Sequence, residues 1–331
     1  MAPDDLFEIL PRVWSERKEE LLKLSRELSW KNFGKRIFFY APSFIPYKSK
    51  SFTSKSTLFP SISITGRSCA LKCEHCGGKL LNTMIPARTP KELVAICEQL
   101  KRKGSVGCLI SGGCLPDGRV PLEKFIEAIH YIKEKLGLKV TVHTGLLDRS
   151  TARKLAETGI DAALIDIIGS NETIREVYHL KGRVEDYERA LEFLEEAGIP
   201  TVPHVLIGLH YGKLKGEFKA LEFISRHNPR ALVLIVLTPI RGTGMSDATP
   251  PSPEKVAEVI VGARIKMPFT PIVLGCVRPK GSHRIETDKL AIRAGVNAMA
   301  FPTKEAIELA EAMKLKTFFS PLCCSQIYEE L

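Results

Sequence analysis

Eight short apolar segments alternate with helix-length segments from residue 61 onward. Each apolar segment has the length and composition of a strand, and several helical stretches between them end on glycine, which is favoured just past a helix C-terminus. Strands that alternate with helices build parallel sheets. The pattern predicts a parallel (β/α) barrel of the TIM type, full or partial, with an open doubly wound sheet as the alternative. The predicted strands are 61–65, 107–111, 139–143, 162–168, 202–207, 231–237, 271–275 and 298–301.

The flanks of this repeat predict two further parts. Residues 1–60 hold an amphipathic stretch, 4–28, which Pro11 should break or restart, then an aromatic stretch, 37–47, and a loop rich in serine and lysine at 48–55. The expected parts are a helical N-terminal cap and loop at 1–60, the barrel at 61–305, and a C-terminal helix with a cysteine-bearing tail at 306–331.

Composition narrows the class of protein. The apolar runs are too short to cross a bilayer and the N-terminus lacks a signal-peptide pattern, so we expect a cytoplasmic protein without a membrane role. The net charge of +10 is spread among glutamates without interleaved aromatics, which argues against a nucleic-acid partner and suits a solvated surface or an acidic partner. Nine cysteines without a secretion signal indicate metal ligation or reactivity rather than disulfides.

Three cysteines follow the first predicted strand within eight residues. Cys69, Cys73 and Cys76 have the spacing C-x3-C-x2-C. Thiolates are the ligands that iron–sulfur clusters select, and three of them leave the fourth iron of a [4Fe–4S] cluster open to a small molecule. A zinc site would normally show paired C-x2-C units and four ligands; reactive loop cysteines are the other alternative.

This motif resembles the signature of the radical S-adenosylmethionine (SAM) superfamily. The resemblance implies that SAM chelates the open iron and that one electron splits it into methionine and a 5′-deoxyadenosyl radical, which abstracts a hydrogen atom. His75 occupies the usually aromatic position before the third cysteine, and Gly112 and Gly113 match the glycine pair that binds the SAM amino group. Cys114 stands where an acidic residue often follows. The resemblance covers residues 60–305.

Further residues match SAM-contacting positions of this superfamily. Asp166, at the end of the fourth predicted strand, would contact the ribose and methionine parts; a polar barrel-layer residue is the alternative. Arg183, before the next helix, would pair with the SAM carboxylate, since arginine suits bidentate recognition; a surface arginine is the alternative. Gly208 and His210 resemble the glycine-containing turn near the adenine.

The remaining cysteines fall into two groups. Cys97 lies on the apolar face of a helix and Cys108 early in a strand, which predicts that both are core residues. Because the carboxyl ends of barrel strands meet at one mouth, and the tail could fold back over it, we expect the others to hold a second, auxiliary [4Fe–4S] cluster. Its predicted ligands are Cys114, Cys276 and one or both of Cys323 and Cys324, with Arg278 or Ser282 completing or neighbouring it. Unrelated buried thiols are the alternative.

Residues 274–303, taken with the Cys-Glu-His-Cys-Gly-Gly stretch, resemble archaeal biotin-synthase-like proteins, some of which form a two-component archaeal lipoyl synthase. The resemblance implies a lipoyl synthase-like sulfurtransferase that inserts sulfur at unactivated C6 or C8 of an octanoyl chain on a lysine of an acidic carrier protein or peptide. It also implies a second radical SAM subunit and an electron donor such as ferredoxin. Two alternatives stay open: other radical SAM chemistry, such as biotin synthesis, methylation or cofactor biosynthesis, and a non-catalytic electron-transfer or regulatory subunit.

Overall fold

The computed structural model describes residues 3–42, 47–48, 53 and 57–331. Within them the strands form one sheet in which every pair is parallel. The strands are β1 (Arg36–Tyr40), β2 (Ser61–Ser63), β3 (Ile85–Pro86), β4 (Gly107–Ser111), β5 (Lys139–His143), β6 (Ala162–Asp166), β7 (Thr201–Ile207), β8 (Leu232–Val236), β9 (Ile272–Leu274), β10 (Ala298–Ala300) and β11 (Lys316–Ser320).

Helices follow most of the strands, and short 3-10 turns supplement them at Lys79–Thr83, Leu122–Phe125 and Cys324–Glu329. No helix in the described ranges is long and apolar enough to span a bilayer. The helices are α1 (Pro3–Phe33), α2 (Pro90–Arg102), α3 (Ile126–Glu134), α4 (Arg149–Glu157), α5 (Asn171–Val177), α6 (Val184–Glu196), α7 (Glu217–Ser225), α8 (Pro253–Lys266), α9 (Ser282–Arg293) and α10 (Lys304–Ala312).

The strand order decides between the two predicted architectures. It runs β11-β1-β10-β9-β8-β7-β6-β5-β4-β2-β3. From β4 to β10 each strand lies beside the next one in the chain, without the reversal that defines a doubly wound sheet. In the described part of the chain the end strands β11 and β3 are not paired with each other, so the barrel has an open seam. The predicted (β/α) barrel with an N-terminal helix is therefore confirmed, in its partial form.

Alternate residues of each strand face different neighbours, as the pleat of a strand requires. In β6, Ala163 and Ile165 pack into the outer core beneath the helices, whereas Ala162 and Leu164 face the interior. Barrel interiors are usually filled by bulky branched side chains. Here much of the interior is lined by small ones, namely Ala162, Ala231, Ala298 and Ala300. They leave room in the lumen for another segment.

The N-terminal part contributes a strand as well as a helix. α1 continues across Pro11 and its non-helical backbone lies at Arg17 (φ −115°, ψ 16°), so the predicted break at Pro11 is wrong. Leu10 and Leu21 are buried on either side of the proline, and α1 packs along α8, which offsets the hydrogen bond that proline removes. β1, which overlaps the predicted aromatic stretch at 37–40, pairs with β10 and β11 and so belongs to the sheet. The predicted loop at 48–55 lies mostly outside the described residues.

The C-terminal tail fills the lumen. Ile327 is fully buried in the interior cluster. Tyr328 Oη donates to the carbonyl of Asp161 over 2.6 Å, and Glu329 pairs with Lys139; both partners lie at the amino ends of their strands. The tail thus passes from the carboxyl end of β11 down through the barrel. The expectation that it folds back over the mouth is wrong, because the small interior side chains leave space inside.

Candidate active site

The loop after β2 brings the three motif cysteines to the carboxyl end of the sheet. The N–H groups of Cys76 and Gly77 both donate to the carbonyl of Cys73, over 3.1 and 2.7 Å, so the chain turns tightly between the second and third cysteine. The N–H of Ala70 donates to the carbonyl of Cys114 over 2.8 Å. This bond ties the start of the motif to the loop after β4.

The thiols of this loop shift one another's pKa values. A hydrogen bond from Cys73, and the neighbouring His75, lower the pKa of Cys76 to about 4 against the effect of burial. The same bond and burial raise the pKa of Cys73, and the Cys69 thiol contributes to that rise. Three converging thiols on one loop are the donor set of a [4Fe–4S] cluster with one open iron, so the residues fit that cofactor.

The predicted SAM-binding glycines pack against the cysteine loop. A Cβ on Gly113 would lie 2.0 Å from the carbonyl oxygen of Ser68 and 2.6 Å from the Cα of Cys69, so only glycine permits this approach. The Gly113 N–H donates to Thr65 Oγ1 over 2.7 Å. Gly112 is less crowded, with side-chain atoms of Thr65 and Ile64 at 3.1 to 3.3 Å from an added Cβ.

A cavity of about 440 Å³ opens beside this loop, lined among others by Cys69, Gly113 and Cys114. Its volume lies in the range of small-molecule sites. His75 packs against Tyr178, with ring centroids 5.4 Å apart. Its Nδ1 is buried without a hydrogen-bond partner among the described residues, as expected of a group that meets a ligand.

Polar residues face the lumen from three adjacent strands. His143 Nε2 lies 3.6 Å from Asp166 Oδ1, and the rings of His143 and His204 are 5.8 Å apart. Burial raises the pKa of Asp166, but the charges of His143 and then His204 outweigh that effect and lower it to about 2. Burial lowers the pKa of His204 to about 4. Asp166 thus lies in the lumen as an ionised carboxylate between two imidazoles.

The other predicted SAM contacts lie farther along the sheet. Arg183 is exposed at the N-terminus of α6, where its N–H donates to Asp186 Oδ2 over 2.7 Å. Gly208 has φ 79°, and its N–H donates to Glu217 Oε1 over 2.8 Å. Burial raises the pKa of Glu217 to about 7. A buried carboxyl group therefore holds the turn in which a positive φ favours glycine.

The structure divides the four cysteines that the sequence assigns to an auxiliary cluster. After burial, Cys69 and Cys76 are among the charges that most raise the pKa of Cys114, so Cys114 lies beside the motif loop. Burial and then the charge of Cys323 raise the pKa of Cys276. Cys323 and Cys276 also both raise the pKa of Cys324. Cys276, Cys323 and Cys324, hereafter the lumen cysteines, therefore form a group of their own. Cys97 and Cys108 are fully buried, which confirms the prediction that they are core residues.

The two residues suggested as completing or neighbouring the auxiliary cluster lie in different surroundings. Arg278 is buried and directs its guanidinium to Asp288 and to backbone carbonyls. Ser282 is exposed at the start of α9. Arg284 lies near Cys276, and burial and Arg278 lower its pKa to about 10.

Sequence reasoning missed His143, His204 and Glu217. The two histidines could have been found by strand parity, because each lies two residues beyond an interior residue of a predicted strand. Glu217 carries no such signal, since a glutamate at the start of a helix is usually a solvated residue that favours the helix N-terminus.

Comparison with known proteins agrees with this geometry. The family model described as "Radical SAM superfamily" matches residues 63–221. The biotin synthase of Synechococcus elongatus is 25% identical over 250 residues, covering 72% of this chain and 76% of the relative. The biotin synthase of Rhodopseudomonas palustris is 27% identical over 241 residues, covering 70% and 65%.

Solved structures share the fold. Methylornithine synthase (PylB) superposes with a TM-score of 0.63 over 98% of this chain and 96% of its own, at 17% identity. HydG, a maturase of the [FeFe]-hydrogenase, gives 0.61 over 85% and 60%, at 19% identity. With the cysteine loop and the partial barrel, the match to the family model makes residues 63–221 similar to the radical SAM superfamily, and that similarity implies a [4Fe–4S] cluster and SAM.

Proposed function

We propose that this chain inserts sulfur at an unactivated C–H bond of an octanoyl chain carried on a lysine of a protein or peptide, as a lipoyl synthase component. The observation that carries the proposal is the separation of its thiols into two groups at the lumen. The motif loop follows β2, the lumen cysteines follow β9 and β11, and five strands lie between β2 and β9. A substrate chain bound at the carboxyl-end mouth of the barrel would have one group on either side.

The two groups suit different tasks. When bound at Cys69, Cys73 and Cys76, the cluster and SAM supply a 5′-deoxyadenosyl radical, and an auxiliary cluster on the lumen cysteines would supply sulfur. The chain's own contribution is placement. His143 and Asp166 lie in the lumen near both groups. The charge of Asp166 raises the pKa of Cys114, and the charge of His143 lowers the pKa of Cys323.

Charge supports a protein-bound substrate. The chain carries a net charge of +10, and Arg67 and Lys72 are exposed on the rim of the cavity beside the motif loop. An acidic carrier protein and an acidic electron donor such as ferredoxin would be attracted to such a surface. A second radical SAM subunit belongs to the same proposal.

A biotin synthase-like reaction is the second candidate. The curated relatives carry that name, and it too is a sulfur insertion. The two candidates share the thiol arrangement and differ in substrate. Direct competition between an octanoyl-lysine peptide and dethiobiotin separates them.

The decisive experiment is anaerobic reconstitution followed by incubation with SAM, a reductant and either substrate. We expect about eight irons per chain, for two [4Fe–4S] clusters. Mass spectrometry should find 5′-deoxyadenosine and sulfur added to the octanoyl peptide. The Cys276→Ala variant should still form 5′-deoxyadenosine but add no sulfur, whereas Cys97→Ala, which removes a buried thiol outside the lumen, should keep both activities.

Three results would count against the proposal. About four irons per chain would remove the auxiliary cluster. Sulfur added only to dethiobiotin would favour the second candidate. Absence of 5′-deoxyadenosine with every substrate would favour a non-catalytic electron-transfer or regulatory role.

A further inference from the structure

Two glutamates and a histidine converge outside the lumen. Glu172 and Glu176 lie one turn apart on α5, and His210 lies in the turn after β7. One side-chain ligand atom from each lies within 4.8 Å of the other two. His210 Nε2 is 3.7 Å from Glu172 Oε1 and 4.0 Å from Glu176 Oε2. Metal–ligand bonds of about 2.0–2.2 Å place neighbouring ligand atoms about 3–4 Å apart, so little movement is needed to enclose an ion.

The histidine is oriented toward the two carboxylates. His210 is 9% exposed, and its Nδ1 lies 3.2 Å from Thr173 Oγ1. A ring nitrogen held in this way fixes the imidazole and directs the other nitrogen to a ligand. Nε2 is beyond hydrogen-bond distance of either carboxylate, so it faces the gap between them without a bonded partner there.

The surrounding charges leave a place for a cation. Glu172 pairs with Lys215, whose side chain is 37% exposed and can turn to solvent. Glu176 pairs only with the adjacent Arg175 and, at 4.0 Å, with His210 in the described structure. Lys215 is therefore a competitor for the position that an ion would take.

We propose that Glu172, Glu176 and His210 bind one divalent first-row transition-metal ion, with water completing its coordination. Mixed carboxylate and imidazole ligands suit Mn²⁺, Fe²⁺ or Zn²⁺ better than Ca²⁺. The bound ion joins α5 to the turn of Gly208. This site uses none of the cysteines, but His210 belongs to the turn predicted to lie near the SAM adenine, so metal binding is measured without SAM and apart from activity.

Mn²⁺ is the probe, since it prefers oxygen and nitrogen ligands to thiolates. Cluster-containing protein is titrated anaerobically with Mn²⁺ in the absence of SAM, and free Mn²⁺ is measured by electron paramagnetic resonance. We expect one saturable ion per chain. Glu176→Gln and His210→Gln should weaken binding about tenfold or more, and Lys215→Met should strengthen it because the competing ammonium is gone.

The control is Glu222→Gln, a half-buried glutamate of α7 paired with Lys219 and Arg226, which should bind Mn²⁺ as the parent does. Thermal unfolding of each variant verifies folding. The proposal is overturned if the parent shows no saturable binding below about 1 mM, on the weak end of protein metal sites. It is also overturned if Glu176→Gln binds like the parent, or if the amount of bound Mn²⁺ falls as iron loading of the cysteines rises.

Discussion

Arg278 Nε donates to Asp288 Oδ1 over 2.6 Å, and both side chains are completely buried. Arg278 also donates to the carbonyls of Gly275 and Phe301, and Asp288 accepts from the N–H of Thr303. The pair thus joins the ends of β9 and β10 to α9 and α10, two residues from Cys276. Because these bonds engage the donors of Arg278, its role is to fix the segment that carries Cys276 rather than to bind a cluster.

Replacing Asp288 with alanine should lower the free energy of unfolding by about 3–5 kcal/mol, because Arg278 would remain buried without its partner. Guanidinium unfolding of the parent and the variant measures the difference. Lys289→Ala, at the neighbouring half-exposed position of α9, is the control and should change it by less than about 0.5 kcal/mol. A loss of less than about 1 kcal/mol in Asp288→Ala would mean that solvent reaches the arginine.

Gly113→Ala should displace the motif loop, because the added Cβ would overlap the carbonyl oxygen of Ser68 and the Cα of Cys69. We expect destabilisation of about 1–3 kcal/mol and loss of most of the bound iron after reconstitution. Gly112→Ala is the matched control: it meets only side chains at 3.1 Å or more and should retain more iron. Equal iron content in the two variants would contradict this packing account.

The sequence predicts most of the sheet for a physical reason. Each of the eight predicted strands is a short apolar run between turn signals, and all eight appear as β2 and β4 to β10. β1, β3 and β11 are missed: β3 is only two residues long, and the pairing of β1 with β10 and β11 is non-local. Phe38 lies opposite Ala298 and Phe318, more than two hundred residues away, and no local pattern records such a partnership.

The candidate site, too, has a part that local sequence predicts and a part that depends on the fold. The three motif cysteines are close in the chain, so their spacing alone predicts that they meet. Position at the carboxyl end of a strand predicts that Cys114 and Cys276 lie at the same mouth, but not on which side of it. That depends on strand order and on the path of the tail, which places Cys323 beside Cys276 and leaves Cys114 near Cys69.

The tail should be part of the barrel core. Ile327→Ala removes a fully buried side chain in the lumen and should cost about 2–5 kcal/mol of unfolding free energy. Ile327→Val should cost about 0.5–1.5 kcal/mol. Denaturant unfolding of both variants provides the comparison. If Ile327→Ala unfolds at the parent's midpoint, the tail does not occupy the lumen in solution.

Glu217 should make stability fall as pH rises. Burial raises the pKa of this carboxyl group from 4.5 to about 7, so between these values the folded chain binds a proton that the unfolded chain has released. By linkage, stability declines across this window, by about 3 kcal/mol for this group, and then levels off above pH 7. Glu217→Gln keeps an acceptor for the Gly208 N–H but has no charge to bury. The variant should therefore gain stability relative to the parent between pH 5 and about 7.5, measured by denaturant unfolding at each pH. Parallel pH profiles for the two proteins would show that the carboxyl group is ionised and solvated throughout, and that the Gly208 turn is held in another way.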